Sequence, residues 1–353
     1  MTSLPDRIRA QAEQCAAHGS PLTAALLVGA AADYDAGGPA AELLRPHADD
    51  PGGTVPSLRL AGALHRLVLE RRAPELALYY PSVGGTAGPD GAWPAARRTI
   101  VERMSELRQG IRRPVQTNEV GRSAALYGGL LYVAAQTGKP VRLLELGASA
   151  GLNLMADRFG YELDDGTVLG DPASPVRLVR PWQGLPGQGR LPVRPVEVAA
   201  RAGCDPSPLD PTRSEDQLTL TSYVWADQLD RFARLRGALQ VAAAHRVVVH
   251  ALPASEFLAR ELATPAPGVV TVIWHSVVWQ YLDPAERVAV TQQLADAGAR
   301  ATGDAPLAHL LLEPERVGDG QFRFRVELTS WPGGEVRVLA EAKGHGPPVV
   351  WLA

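Results

Sequence analysis

The chain has 353 residues, of which 46% are hydrophobic and 21% charged, and its formal net charge is −3. This composition is typical of a soluble globular protein. The sequence has no cluster of Lys and Arg that would form a basic surface for nucleic acid, so we expect that nucleic acid is not a partner. The two cysteines have no paired spacing, which argues against a disulfide framework. No cluster of His, Asp and Glu has the spacing of a metal site, so we expect no metal.

The first residues, MTSLPDRIRAQAEQ, are polar and lack the apolar segment of a signal peptide. No apolar run elsewhere approaches the roughly 20 residues that a membrane-spanning helix needs. The sequence therefore predicts a cytoplasmic protein without a membrane partner, and it leaves the oligomeric state open.

Residues 1–115 have the pattern of helices. Ser3-Leu4-Pro5-Asp6 resembles a capping box at the start of the first helix. Apolar residues recur on one helical face in Ser57–Arg72 and in Arg97–Gln109, whereas the Gly- and Pro-rich stretch 81–94 is typical of a loop. No strand is predicted before residue 140, so we expect residues 1–115 to form an N-terminal helical cap domain.

A second domain is predicted over residues 116–353. It opens with a helix, Gln116–Pro140, that is apolar or small nearly all round in its central part and is therefore expected to be buried. Val141–Leu146 then forms the first buried strand, and Leu152–Phe159 is predicted to be the helix that follows it.

The rest of the chain alternates between strands and helices. Tyr161–Leu169 predicts a hairpin within a Pro- and Gly-rich insertion at about 161–195. A helix is predicted in WADQLDRFARLRGALQVAAA, and another begins at Asp283-Pro284-Ala285-Glu286. The segment VEVAARAGCDPSPLD carries the second strand into a loop, and HRVVVHAL, GVVTVIWHS and PLAHLLLEPE are the third, fourth and fifth strands. A final antiparallel pair follows, QFRFRVELTSW and EVRVLAEAKG. This order predicts an α/β fold with a mostly parallel, Rossmann-like sheet.

The pentapeptide Gly147-Ala148-Ser149-Ala150-Gly151 admits two interpretations. As G-x-S-x-G it resembles the nucleophile elbow of a serine hydrolase, and His309 and His345 follow Ser149 as a triad would require. An elbow, however, lies late in its sheet, after several strands and an oxyanion loop. Because everything before residue 140 is predicted to be helical, the hydrolase is the less favoured alternative.

As a turn between the first strand and the next helix, the same residues favour a nucleotide-like ligand. Gly147 permits a tight turn, and Ser149 and Gly151 let the backbone approach a ligand at the start of the helix. The spacing is not the G-x-G-x-x-G of a dinucleotide site. An acid, Glu145, stands two residues before the first glycine, which favours a different class of nucleotide ligand.

The E-x-G-x-S-x-G turn on a first strand, the helical cap before it and the final antiparallel pair resemble class I S-adenosylmethionine-dependent methyltransferases, over residues 116–353. The longer phrases QTNEVGR, LLELGASAGLNL, GCDPSPLD, VWADQ and TVIWHSVVWQYL resemble an uncharacterised bacterial family, common in actinobacteria, that is known only as a domain of unknown function. The first resemblance implies S-adenosylmethionine as cofactor and methyl transfer to a small-molecule acceptor. The alternatives are a fold relative that binds S-adenosylmethionine or another nucleotide without methyl transfer, and the serine hydrolase.

The methyltransferase resemblance also implies roles for individual residues. Glu145, Gly147, Ser149 and Gly151 match the motif around the methionine part of the cofactor. An acid at the end of the second strand would hold the ribose hydroxyls, since a carboxylate suits two adjacent hydroxyl donors. Asp205 is the first candidate for this acid.

The insertion leaves two further acids, Asp210 and Asp171, as alternatives for the ribose contact. Near the end of the third strand, many methyltransferases place an acid beside the adenine amine. This chain departs from that pattern, because Pro253-Ala254-Ser255 stands there and Glu256 lies one turn further.

Position in the predicted fold gives further candidates. His275 follows the charge-free fourth strand at the edge where ligands bind, and an imidazole accepts protons at neutral pH, so it is the predicted catalytic base. Glu313 ends the fifth strand at the same edge and is a substrate-binding candidate. Arg122 can hold a carboxylate of the cofactor or substrate with its two-pronged donor group. Asn153, in the first turn of a predicted helix, can face the cofactor.

The remaining candidates for substrate binding lie near helix starts: Asn118, Glu119, Trp225, Asp227 and Gln228. Each has a structural alternative, because such residues also cap helices or form ion pairs, as Glu119 can with Arg122. His275 likewise can bond a neighbouring loop and hold the adjacent tryptophans in place instead of acting as a base.

Overall fold

The computed structural model describes residues 3–50, 54–186, 195–318 and 322–352. It divides into two compact units, Met1–Thr117 with Arg213–Ala233, and Asn118–Thr212 with Arg234–Ala353. The segment 213–233 therefore belongs to the helical unit, whereas the sequence pattern assigned it to the α/β domain. Among the described residues, no helix is both long and apolar enough to span a bilayer.

The helical unit is held together by a core of mainly Leu, Ala and Ile side chains. Ser3 caps α1 by accepting the Asp6 N–H, and proline occupies the first turn of several helices, where its missing N–H costs no hydrogen bond. The predicted helix Arg97–Gln109 is interrupted at Arg103, where the backbone leaves the helical region. The helices are α1 (Leu4–Ala17), α2 (Pro21–Asp35), α3 (Pro39–Leu44), α4 (Pro56–Leu69), α5 (Pro74–Ala77), α6 (Ala92–Glu102), α7 (Met104–Gly110) and α9 (Ser214–Ser222).

The α/β unit begins with α8 and alternates strands with helices, as predicted. Its helices are α8 (Ser123–Thr137), α10 (Leu229–Ala244, which starts in the helical unit), α11 (Ala254–Glu261) and α12 (Pro284–Ala299). Its strands are β1 (Val141–Leu146), β2 (Gly160–Glu162), β3 (Val168–Gly170), β4 (Arg177–Val179), β5 (Trp182–Gln183), β6 (Val198–Cys204), β7 (Val249–His250), β8 (Val270–Ser276), β9 (Leu307–Arg316), β10 (Phe322–Trp331), β11 (Glu335–Lys343) and β12 (Gly346–Trp351).

The main sheet has nine strands in the order β5-β12-β11-β10-β9-β8-β1-β6-β7. From β7 to β9 neighbouring strands are parallel, and β9 to β12 form antiparallel pairs. The α/β class and the mostly parallel sheet are thereby confirmed. The chain builds outward from β1 first on the β6 side and then on the β8 side, so the strand order reverses between β1 and β8. In open α/β sheets, ligands bind at the carboxyl ends of the strands beside such a reversal.

The two faces of the sheet bury different helices. Leu144 and Ile273 pack with Phe257 of α11 and Val290 of α12 on one face. Because successive side chains of a strand point to opposite faces, Glu145 and Trp274 lie on the other face. There α8 contacts β8, β9 and β12. His275, two residues after Ile273, points to the α11 and α12 face.

Residues 152–159 do not form the predicted α-helix. The structure has 3-10 turns over Asn153–Arg158, with Met155 outside the helical region. An α-helix would bond the Ala156 carbonyl to the Gly160 N–H, but that N–H donates to Val176 in the small sheet, and the Tyr161 hydroxyl donates to Ala156 instead. The chain thus enters β2 too soon for an α-helix.

The insertion and the edges of the sheet differ in detail from the sequence pattern. β2 and β3 form the expected hairpin, and β4 joins β2 to make a three-stranded sheet, while residues 187–194 of the insertion lie outside the described residues. The third parallel strand, β7, is only two residues long. The final antiparallel pair is extended by β12, and β5 pairs with β12 at the edge.

The packing of α8 on the sheet gives a stability prediction. A Cβ at Gly128 would overlap the Trp351 ring, so Gly128→Val should lower the free energy of unfolding by about 1–3 kcal/mol through overpacking. Gly303→Val is the matched control, because a Cβ there meets nothing within 4 Å and the cost should stay within about 0.5 kcal/mol. Urea denaturation of the two variants measures the difference, and equal midpoints would contradict this account of α8.

Candidate functional site

The carboxyl edge of the parallel strands carries the sequence-predicted residues of the α/β unit. Glu145 is the penultimate residue of β1, and the turn at residues 147–151 follows the strand. Asp205 comes directly after β6, and Arg122 precedes α8. The fold therefore brings these groups, which are far apart in sequence, to the region of the strand-order reversal.

The turn has three residues in the left-handed region: Gly147 at φ 66°, Ser149 at φ 51° and Gly151 at φ 72°. It is closed by backbone hydrogen bonds and by a side chain. The Ser149 N–H donates to Asp205 Oδ2 over 3.1 Å, and the Ala148 N–H donates to the Cys204 carbonyl over 2.9 Å. Asp205 thus stabilises the turn from the neighbouring strand.

The glycines of the turn are required by the packing of the protein itself. A Cβ on Gly147 would lie 2.5 Å from Val278 Cγ2. A Cβ on Gly151 would lie 2.8 Å from Val247 and 2.9 Å from Val249. Valine side chains of the protein thus fill the space at the Cβ position of Gly151, and the expected approach of a ligand to the backbone of this turn stays a prediction.

Glu145 is a buried acid beneath the turn, with 3% of its surface exposed. Burial raises its pKa well above the ordinary value. The charge of Arg122 and the side chains of Asn153 and Trp274 oppose this rise, whereas Asp205 adds to it. Glu145 Oε2, Asn153 Oδ1 and Trp274 Nε1 are buried without a well-aligned hydrogen bond within the described residues. These three side chains form a buried polar cluster, the Glu145 cluster, and Glu313 Oε2 at the same edge likewise has no well-aligned hydrogen bond within the described residues.

The residues before α8 brace the turn. Asn118 Oδ1 accepts the Leu152 N–H over 2.9 Å, and Asn153 Nδ2 donates to the Glu119 carbonyl over 3.3 Å. The Glu119 carboxylate accepts the Gly121 N–H over 3.0 Å. Asn118 and Glu119 are both buried, so these contacts favour the capping alternative over substrate binding.

Arg122 bonds backbone carbonyls. Its Nε donates to Gly344 over 2.9 Å, and its Nη1 donates to Ser276, the last residue of β8, over 3.1 Å. The guanidinium is half-buried and its charge favours the ionised form of Glu145. Arg122 therefore anchors the start of α8, and two of its nitrogens are already used where a bidentate carboxylate clamp was expected.

His275 belongs to a hydrogen-bonded chain on the α11 and α12 face. His275 Nδ1 lies 2.7 Å from Glu313 Oε1, and its Nε2 lies 2.9 Å from His309 Nε2. Glu313 Oε1 also accepts the Val278 and Trp279 N–H groups over 2.9 and 3.3 Å. The Trp279 ring stacks on His275. With both ring nitrogens bonded and 1% of its surface exposed, His275 has the geometry of the structural alternative rather than that of a base facing substrate.

Within this group of hydrogen-bonded side chains, the sequence pattern did not identify His309 as a partner of His275. The sequence feature that could have predicted this contact is the spacing of His309 and Glu313. They are four residues apart in one strand, so their side chains lie on the same face of the sheet. Burial and the neighbouring His275 lower the pKa of His309 to about 3, so it is neutral at pH 7.

The three candidates from the VWADQ phrase lie in the helical unit. Asp227 caps α2 by accepting from Ser20 Oγ over 2.6 Å and from the Leu22 N–H over 3.0 Å. Gln228 Nε2 donates to the His18 carbonyl over 2.6 Å. Trp225 packs edge-on against His18. These contacts favour structural roles, and Asp227 caps a helix distant in sequence rather than its own.

The two alternative acids for the ribose contact, Asp210 and Asp171, each accept a backbone N–H from the residue two positions later in their own turn. Asp210 accepts the Thr212 N–H and Asp171 accepts the Ala173 N–H, each over 2.8 Å in an exposed turn. Asp205 is thus the acid bonded to the glycine-rich turn. At the expected adenine contact, Ser255 bonds the Glu286 carboxylate through its N–H and hydroxyl, both over 2.8 Å, and Glu256 is exposed.

Comparison with known proteins identifies the family. A family model described as "Uncharacterized protein conserved in bacteria (DUF2332)" matches residues 5–351, so the chain belongs to this bacterial family. The resemblance to an uncharacterised bacterial family is confirmed. Searches of the curated proteins and of the solved structures found no match. In the described parts of the chain, no group of three or more His, Cys, Asp or Glu side chains is arranged to hold a metal ion.

The three N–H groups held by Glu313 Oε1 give a second stability prediction. Glu313→Gln keeps the size of the side chain but removes its charge, so the His275, Val278 and Trp279 N–H groups lose a charge-assisted acceptor. We expect a loss of about 1–3 kcal/mol in the free energy of unfolding. Glu315→Gln is the matched control in the same strand, because its ion pair with Arg325 is half-exposed and worth less than about 1 kcal/mol. A Glu313 variant as stable as the control in urea would contradict the assigned bonds.

The low pKa of His309 predicts a loss of stability in acid. Between about pH 6.5, where histidine ordinarily titrates, and about pH 3, the unfolded chain binds a proton that the folded chain does not. The free energy of unfolding should therefore fall as the pH is lowered from 7 to 4. His309→Gln should make this dependence shallower but not abolish it, because burial also lowers the pKa of His65 to about 4.

Urea titrations at several pH values measure this dependence. His245→Gln is the control, since His245 is exposed and its replacement should leave the wild-type slope. Equal slopes for wild type and His309→Gln would show that His309 is not kept neutral by the fold.

Proposed function

We propose that this member of the DUF2332 family binds S-adenosylmethionine at the carboxyl edge of β1 and β6 and transfers its methyl group to a small-molecule acceptor. The observation that carries the proposal is the position of the turn 147–151, directly after β1 and beside the point where the strand order reverses. Ligands of open α/β sheets bind at this point. This turn carries the E-x-G-x-S-x-G motif on which, with the helical cap and the final antiparallel pair, the resemblance to methyltransferases rests, and that resemblance implies the role of the acid after the adjacent strand.

The polar side chains at this edge suit the ammonium group and the ribose hydroxyls of the cofactor. Glu145 Oε2, which has no well-aligned hydrogen bond within the described residues, is an acceptor for an ammonium group, and the guanidinium of Arg122 lies near enough to influence it. The Asp205 oxygens each accept one backbone N–H, from Ser149 and Ser207, and each keeps a further lone pair for a hydroxyl donor. The residues present therefore fit the methionine and ribose parts of S-adenosylmethionine. At the adenine position Ser255 and Glu286 replace the acid that the resemblance would require.

When bound, the cofactor supplies a methyl group on a positively charged sulfur as the electrophile. The chain's own contribution is to hold the reacting groups in line, which converts a bimolecular displacement into an oriented one. Glu145 and Asp205 would fix the methionine part and the ribose of the cofactor, on either side of the sulfur. His275 is not assigned the removal of a proton, because both of its nitrogens are bonded within the protein.

Binding is tested by calorimetry with S-adenosylmethionine and its demethylated product, for which we expect dissociation constants in the micromolar range, roughly −8 kcal/mol. Glu145→Gln is the informative variant. It resembles the neutral acid that burial favours in the free protein, so the fold should be kept, but unlike Glu145 it cannot ionise beside a bound ammonium group. We expect the affinity to fall about 10- to 100-fold, the effect of a hydrogen bond between charged groups.

Glu335→Gln is the control for this experiment, since Glu335 is exposed on β11. Its affinity should equal that of wild type. If neither ligand binds to the folded protein, both the methyltransferase and the non-methylating S-adenosylmethionine alternative are wrong. Binding without formation of the demethylated product in the presence of candidate acceptors would favour the non-methylating alternative.

A further inference from the structure

The helical unit contains a serine bonded to a buried histidine. Ser82 Oγ lies 2.9 Å from His65 Nε2, and His65 Nδ1 lies 3.1 Å from the Ser222 carbonyl oxygen. Ser82 sits in a 3-10 turn, Pro81–Val83, that ends at Gly84 with φ 88°. The three residues belong to one compact unit although they are distant in sequence.

The carbonyl of Ser222 sets the protonation of the histidine. A carbonyl oxygen only accepts, so the proton of neutral His65 is on Nδ1, and Nε2 is left to accept from the Ser82 hydroxyl. Ser222 is the last residue of α9, where helix carbonyls lack intrahelical partners and carry the negative end of the helix dipole. This carbonyl would stabilise an imidazolium, the role that a carboxylate has in a catalytic triad.

Burial differs between the two side chains. His65 is 3% exposed, and the rings of Tyr80 and Phe232 pack against it at centroid distances of 5.3 and 5.8 Å. Ser82 is half-buried, and the residues after it, Val83 and Gly84, are exposed. The base is thus held rigidly inside the unit, while the hydroxyl lies at its border with solvent. A nucleophile in reach of a base that a third group orients is the arrangement used in covalent catalysis.

The geometry points to Ser82 as an activated nucleophile, with His65 as its general base, in a site that reacts with small acyl esters. The Ser82 oxygen forms a bond to the acyl carbon, and its proton passes to His65 Nε2. The ester oxygen leaves as an alcohol and takes that proton. Water, deprotonated in turn by His65, then releases the acid and regenerates Ser82. This site is separate from the turn at Ser149 and does not depend on the proposed cofactor.

A fluorophosphonate probe tests the reactivity of Ser82 directly. The serine oxygen displaces fluoride from phosphorus, so the full-length protein gains a stable adduct that peptide mass spectrometry can locate. We expect the adduct on Ser82, and no adduct there in Ser82→Ala. His65→Gln should slow labelling at least about 100-fold, the usual effect of losing a general base. Ser105→Ala is the control, since Ser105 is exposed on α7 of the same unit, and it should label like wild type.

The pH dependence of labelling distinguishes a catalytic pair from a merely structural bond. Burial lowers the pKa of His65 to about 4, so the base is already neutral above pH 5. The labelling rate should be nearly constant from pH 8 to 5 and should fall below pH 5, whereas an ordinary histidine would lose activity near pH 6.5.

Three outcomes would overturn the proposal. They are the absence of an adduct on Ser82 in the folded wild-type protein, an adduct on Ser149 instead, and an unchanged labelling rate in a His65→Gln protein that keeps its folded circular dichroism spectrum. The first and third would leave the pair as a buried structural hydrogen bond, and the second would favour the nucleophile elbow.

Discussion

The hydrogen bond from the Ser149 N–H to the Asp205 carboxylate is the contact on which the carboxyl edge of the sheet depends. The left-handed conformation of Ser149 costs roughly 1–2 kcal/mol, and a hydrogen bond to a charged acceptor, worth about 1.5–3 kcal/mol, offsets that cost. Asp205 also donates its backbone N–H to His250 of β7, so one residue links the ends of β1, β6 and β7. Asn118 braces the other end of the turn by accepting the Leu152 N–H.

The two polar clusters of this edge lie on opposite faces of one sheet. The Glu145 cluster faces α8, and the chain from Glu313 through His275 to His309 faces α11 and α12. Two neighbouring residues of β8 belong to different clusters: Trp274 to the Glu145 cluster, and His275 to the group with Glu313 and His309. Any movement of the end of β8 therefore shifts both clusters, and Arg122, which bonds the Ser276 carbonyl, restrains that movement.

The sequence predicted the features that depend on local pattern. The buried strands β1, β8 and β9 and the left-handed turn follow from apolar runs and glycine spacing. It could not predict that Val278 and Val247 fill the space beside the glycines, because those contacts are tertiary. His309 and Glu313 share a face by their spacing. The imidazole of His275 lies between His309 and Glu313 because the strand register pairs His275 with Leu311. This register cannot be predicted from the local sequence pattern. Asp227 and its partner Ser20 are 207 residues apart, beyond the reach of any pattern argument.

The return of residues 213–233 to the helical unit affects the order in which the chain can fold. When the ribosome has released only the first 117 residues, α2 still lacks the Asp227 carboxylate that caps it, and His65 lacks the Ser222 carbonyl. The helical unit is completed only after β1 to β6 have been synthesised. The helical unit therefore cannot be completed before synthesis of the α/β unit has begun, and α2 lacks its cap while β1 to β6 are made, of which β1, β5 and β6 belong to the nine-stranded sheet.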